Sequence, residues 1–178
     1  MTLGFMQHFP KGIKVLEGQP THFLEKIWEA ILQKGIEVNA LEFSDLGRKV
    51  LPKNYKVGTH APKLHTMRMD EKNLWKAGND IHFVINNHTP QRFQFAPVVK
   101  CVSTQEVEIK YQNISFQNKG VNPIKTVSVT IDGKTEWGFH DMVKKLAIND
   151  GFESVEDFFS YFNTDWKGTL IHWTDLKY

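Results

Sequence analysis

The sequence predicts an α+β domain, a small, strongly curved sheet or barrel of five to seven strands with flanking helices. Three observations carry that expectation. Short segments in the second half alternate apolar and polar residues, an apolar stripe recurs every four residues within 20–34, and two further helical patterns interrupt the strands near the end. With 178 residues and no internal repeat, low-complexity tract or shift in composition, the chain reads as one domain over 1–178.

Residues 3–9 read as a short strand closed by Pro10. Phe23, Ile27 and Ile31, flanked by Leu24, Trp28 and Leu32, form a wide apolar stripe on one helix, which Gly35 ends. Residues 36–57 carry no clean period. They read as a long connection with at most one short strand, either a functional loop or an insertion. After Gly78 the period becomes two, with Ile81, Phe83 and Ile85 on one side and His82 and Asn86 on the other, a strand pattern. Further strands are expected at 92–95, 98–102, 106–111 and 126–131, and Asp132-Gly133 turns the last into 134–137. Phe139, Val143, Leu146 and Ala147 mark a helix that Gly151 ends. Ser154 and Asp157 cap the next, whose apolar side is Val155, Phe158, Phe159 and Phe162. A final strand is expected at 169–173, with His172 and Trp173 on opposite faces.

Composition narrows the function classes. Aromatic residues make up 12% of the chain, too much apolar surface for a disordered one, and a single cysteine excludes an intramolecular disulfide framework. No stretch approaches the roughly 20 apolar residues that span a bilayer, and the first residues lack a basic leader with an apolar run, so the expectation is a soluble, cytoplasmic protein without membrane contact. None of the eight histidines stands at metal-ligand spacing, so neither a metal nor a cofactor is expected. Cys101, within the run Val98, Val99 and Val102, reads as a packed core thiol. Net charge is only +2, yet Arg48 to Lys76 carries eight basic and two acidic residues, while Asp150 to Trp166 carries five acidic and no basic ones. The first segment offers charge for phosphate, or is simply a solvated loop.

The densest chemistry lies in Ala61-Pro62-Lys63-Leu64-His65-Thr66-Met67-Arg68. A regular strand would set Lys63, His65 and Met67 on one face and Thr66 and Arg68 on the other, and periodicity alone favours a basic edge strand. A turn or bulge near Pro62 would instead let Lys63, Thr66 and Arg68 line one anion-binding pocket. Trp75 stands where it can stack a base beside Lys72 and Lys76, or join the core.

Lys63, Thr66 and Arg68 also fit a Gly-x-Lys-x-x-Thr-x-Arg pattern, with Gly78-Asn79-Asp80 before the next strand and Ala147 to Phe152 at a helix junction. In these features the chain resembles the ASCH domain, a relative of the PUA-like RNA-binding barrels. It departs from the pattern at Ala61, which replaces the glycine, and in the length of 36–57. The resemblance implies an RNA- or nucleotide-binding protein, with Arg68, His65 and Trp75 as ligand-binding candidates. The alternative it implies is an amidohydrolase acting on an acylated cytidine-type nucleoside, some members being ribonucleases. In the hydrolase, Lys63 would be nucleophile or base, Thr66 its hydroxyl partner and Asp150 the second proton carrier. Without the resemblance, Asp150 reads equally well as part of an Asn-Asp-Gly turn.

Overall fold

A computed structural model of the chain describes residues 1–13, 15–114 and 124–178. The chain is α+β. In order come β1 (Thr2–Gly4), α1 (Phe23–Lys34), α2 (Ala40–Val50), β2 (His65–Arg68), β3 (Asp80–Ile85), β4 (Phe93–Gln94) and β5 (Val99–Lys100). Then follow β6 (Ser103–Ile114), β7 (Ile124–Ile131), β8 (Lys134–Trp137), α3 (Asp141–Asn149), α4 (Val155–Tyr161) and β9 (Trp166–His172).

The expected single barrel is corrected to two sheets among the described residues. One is four-stranded, with β1 parallel to β3, and β4 and β5 both antiparallel to β3. The other is five-stranded, in the order β2-β9-β6-β7-β8, so the described residues hold nine strands rather than five to seven. Alternation reports which face of a strand is buried but not which strands pair, and the two sheets meet at a corner that no periodicity marks. There the Cys101 amide donates to the Asn79 carbonyl in one sheet, and the next amide, Val102, donates to the His172 carbonyl in the other, both at 2.8 Å.

Residues 36–57 are corrected as well, for they contain α2. Asn39 caps it by accepting from the Leu41 and Glu42 amides at 3.0 and 3.1 Å, and Phe43, Leu46 and Val50 lean on the core at helical spacing. That stripe is narrow, and α2 buries no residue fully, which is why its period is faint. The expected turn at Asp132-Gly133 does join β7 to β8, both residues having positive φ, 46° and 81°. Ser154 caps α4, its Oγ accepting from the Asp157 amide at 3.0 Å. No helix among the described residues is long and apolar enough to cross a membrane.

Three connections place the segment before β2. The Lys63 amide donates to the Lys26 carbonyl of α1 at 2.9 Å, the Leu64 amide donates to the Asn149 carbonyl of α3 at 2.8 Å, and the Trp173 indole donates to the Lys63 carbonyl at 3.1 Å. Pinned between two helices, Lys63 leaves the strand alternation that β2 keeps from His65 onward.

Candidate functional site

Lys63 and Asp150, 87 positions apart, are in contact. The Lys63 ammonium donates to Asp150 Oδ1 at 2.8 Å and to the Asp150 carbonyl, and both side chains are buried, at 1% and 6% exposure. Asp150 closes α3, so the amine also satisfies a helix-terminal carbonyl that lacks an intrahelical partner. Gly151 makes the approach possible. Its φ of +93° turns the chain sharply, and a Cβ there would lie 3.0 Å from Phe23 and 3.2 Å from the Lys63 side chain. Its carbonyl accepts from buried Lys26 at 2.7 Å, and Lys26 pairs with Glu153 at 2.5 Å.

Thr66 and Arg68, two apart on β2, share a face and join Lys63 and Asp150 around a cavity of about 30 Å³. Its other walls include the rings of Phe5, Phe23, Phe152, Tyr161 and Phe162. The volume suits roughly one water molecule and is far too small for a nucleoside. Met6, Arg68 and Tyr161 are the half-exposed members of the lining and form its rim. Lys63 Nζ lies 4.7 Å from the Phe23 ring centre, and the Arg68 guanidinium lies 5.0 Å from that of Phe5. Arg68 donates to the Gly4 carbonyl at 2.7 Å, while its buried Nε has no partner among the described residues.

These surroundings set the proton affinities. Burial drives the Lys63 ammonium down to about 8, against the opposing pull of the Asp150 carboxylate. Burial alone would raise Asp150, but the Lys63 charge and the adjacent imidazole hold it below the ordinary carboxylate range. Arg68 is lowered by burial.

His65 lies beyond the carboxylate, outside the lining of the cavity. Its Nδ1 is 3.5 Å from Asp150 Oδ1, its Nε2 is 2.8 Å from the Tyr178 hydroxyl, and its ring meets that of His172 edge-on at 5.2 Å. Trp75 is half-buried against the core and is likewise absent from the lining; its amide donates to Asp70. Trp173, like His172, is buried. Ala61 is exposed and has no positive φ, so this backbone makes no demand for glycine there. Six of the eight basic residues between Arg48 and Lys76 are exposed, the other two being Lys63 and the half-buried Arg68.

Sequence reasoning did not find the aromatic walls, Lys26 or Tyr178. The walls look like core because most of them are core, and only Gly151, a glycine directly after a helix-end acid, signals a close approach. Larger grooves of about 980 and 850 Å³ exist elsewhere, but neither contains Lys63, Thr66, Arg68 or Asp150. Among the described residues no group of three or more His, Cys, Asp or Glu is placed to hold a metal ion. The chain matches no family model, no curated protein and no solved structure.

Proposed function

We propose that the chain is an ASCH-type, PUA-like hydrolase that removes a small acyl group from the exocyclic amine of a modified nucleoside of the acylated-cytidine kind. The observation that carries this reading is the 2.8 Å contact of the Lys63 amine with Asp150 inside a cavity that also holds Thr66 and Arg68. An ordinary lysine is almost wholly protonated at neutral pH. One brought down to about 8 is neutral in about a tenth of molecules at pH 7, a gain of some hundreds in available base.

In this mechanism the neutral Lys63 amine takes a proton from the attacking water as oxygen adds to the acyl carbon. The Thr66 hydroxyl orients that water, and the Arg68 guanidinium faces the oxyanion. As the C–N bond breaks, Asp150 passes the proton from the Lys63 ammonium to the departing nitrogen. The cavity has room for the attacking water, so the acyl group is presented at its mouth, the base and ribose rest at the rim of Met6, Arg68 and Tyr161, and short acyl groups are preferred.

The test is hydrolysis of a panel of N-acyl nucleosides with formyl, acetyl and longer chains. Lys63→Met and Asp150→Asn are expected to lose about 10²- to 10⁴-fold in kcat/KM. Thr66→Val is expected to lose less. Equal turnover by wild type and Lys63→Met overturns the reading.

The six exposed basic residues from Arg48 to Lys76 favour a second reading, RNA or nucleotide binding over the surface outside the cavity. Affinity for short RNAs should then fall steeply between about 50 and 200 mM salt, and should weaken in a Lys53→Ala, Lys56→Ala double variant. Affinity that ignores both changes removes this reading.

A further inference from the structure

We propose that His65 and Tyr178 form a proton path from the Asp150 carboxyl group to the surface, on the side of Asp150 away from the substrate cavity. The inference rests on the hydrolase reading for its purpose, but its geometry stands apart from it.

Hydrolysis of an N-acyl exocyclic amine consumes one water. One of its hydrogens goes to the leaving nitrogen, and the other is released when the product acid ionises. The exocyclic amine of a cytosine-like base is not basic enough to keep that second proton at neutral pH. Each turnover therefore leaves one surplus proton on the Lys63–Asp150 pair. The cavity is small and lined by five aromatic rings, and product covers its mouth at the moment the proton must leave. An exit on the cavity side is blocked by the product itself.

The other side of Asp150 offers a continuous set of polar atoms. His65, wholly buried, stands with Nδ1 3.5 Å from Asp150 Oδ1 and Nε2 2.8 Å from the Tyr178 hydroxyl. That hydroxyl accepts from Asn149 Nδ2 at 3.0 Å and reaches the Lys145 carbonyl, at the exposed surface of α3, at 3.5 Å. A protonated Asp150 gives its hydrogen to Nδ1, the Nε2 hydrogen passes to the Tyr178 oxygen, and the phenol hydrogen leaves to solvent. Asp150 ends one proton lighter, that proton now being in solvent, while His65 and Tyr178 each keep the number they began with and only the tautomer of His65 changes.

The 3.5 Å step is the one gap too long for a good hydrogen bond, and it acts as the gate. While Lys63 is charged it holds Oδ1 at 2.8 Å. Once Lys63 gives up its proton, the carboxyl group is released toward the ring. The groups facing His65 are Asp150, Lys63, His172 and Tyr178, and the imidazole is kept neutral chiefly by burial. Burial outweighs the pull of Asp150, Lys63 opposes a second cation, and His172 has neither ring nitrogen partnered among the described residues. A neutral imidazole with one donor and one acceptor nitrogen is what a relay requires.

Two measurements test the path, the first without substrate. Nitrogen-15 spectra of the histidine rings, recorded from pH 6 to 10, should show His65 neutral throughout and changing tautomer as Lys63 titrates. The change should be lost in Asp150→Asn. A His65 tautomer indifferent to pH over that range, or equally responsive in Asp150→Asn, overturns the path. The second measurement is turnover of the best N-acyl nucleoside. Tyr178→Phe and His65→Gln should each lower kcat by about 10²-fold with KM unchanged, raise the solvent isotope effect, and recover with rising concentrations of a small buffer. Losses in KM instead, without buffer recovery, mean a packing role and overturn it. If no acylated nucleoside is turned over, the hydrolase reading fails while the first measurement still decides the path.

Discussion

Lys63 is an ammonium enclosed by rings and one carboxylate, and its proton affinity is a statement about stability. Its value is about 8 in the folded chain against 10.5 for an ordinary lysine. Between those values the unfolded chain holds a proton that the folded chain has released, so stability must rise with pH across the window. Below pH 8 both states are charged and the desolvation cost is paid in full. Urea titrations should therefore show wild type gaining on the order of 3 kcal/mol relative to Lys63→Met between pH 8 and 10.5, if the full shift is expressed. Parallel curves for the two proteins would show that the amine is not desolvated. At this scale the sequence was readable in part. Lys63, Thr66 and Arg68 stand within one octapeptide, and a pattern of spacing draws the eye to them. The partners of His65 were not readable, since Tyr178 lies 113 positions away and carries no local mark.

At the scale of elements, the joint between α3 and α4 holds the acid against the base. Replacing Gly151 with alanine asks a side chain to adopt φ +93° and to share space with Phe23 and the Lys63 stem. The expected cost is about 1–3 kcal/mol, measured by urea unfolding. Retreat of Lys63 from Asp150 should accompany it, seen as a rise in the lysine's pKa toward that of a solvated amine. An alanine variant as stable as wild type would show that the joint has slack. Strands such as β3 and β7 were legible because apolar side chains recur at every second position, Ile81 and Phe83 in one and Val127, Val129 and Ile131 in the other, although Val84 and Ser128 at the alternate positions are buried too. α2 was not, because it lays only Phe43, Leu46 and Val50 on the core and leaves Gly47 facing Trp28, where a Cβ would sit 3.5 Å from the indole. The corner at Cys101 and Val102 was illegible for a different reason. It is made of main-chain bonds to Asn79 and His172, and main-chain bonds leave no trace in side-chain pattern.

For the molecule as a whole, the first loss of stability on acidification falls to the buried histidines, ahead of the carboxylates. His172 is held neutral, at about 3, chiefly by burial and then by His65, and His65 is lowered too. Below the ordinary value of 6.5 the unfolded chain takes up protons on both more readily than the folded chain, so stability must decline as pH falls from there, in the case of His172 down to about 3. His172→Leu should flatten part of that decline in chemical denaturation between pH 6.5 and 5 while remaining at least as stable at pH 5, since it also removes two unpartnered nitrogens. A slope unchanged by the substitution would assign the acid sensitivity elsewhere. Strand β1 has a different global meaning. It has three residues, pairs only with β3 among the described residues, and leads directly into Phe5 and Met6, which wall the cavity. This wall is also tied by single bonds, from the Phe5 amide to the Val84 carbonyl, from Arg68 to the Gly4 carbonyl and from the Thr21 hydroxyl to the Met6 carbonyl, so the roof over the lysine belongs at once to the rim of one sheet, the edge of the other and the approach to α1.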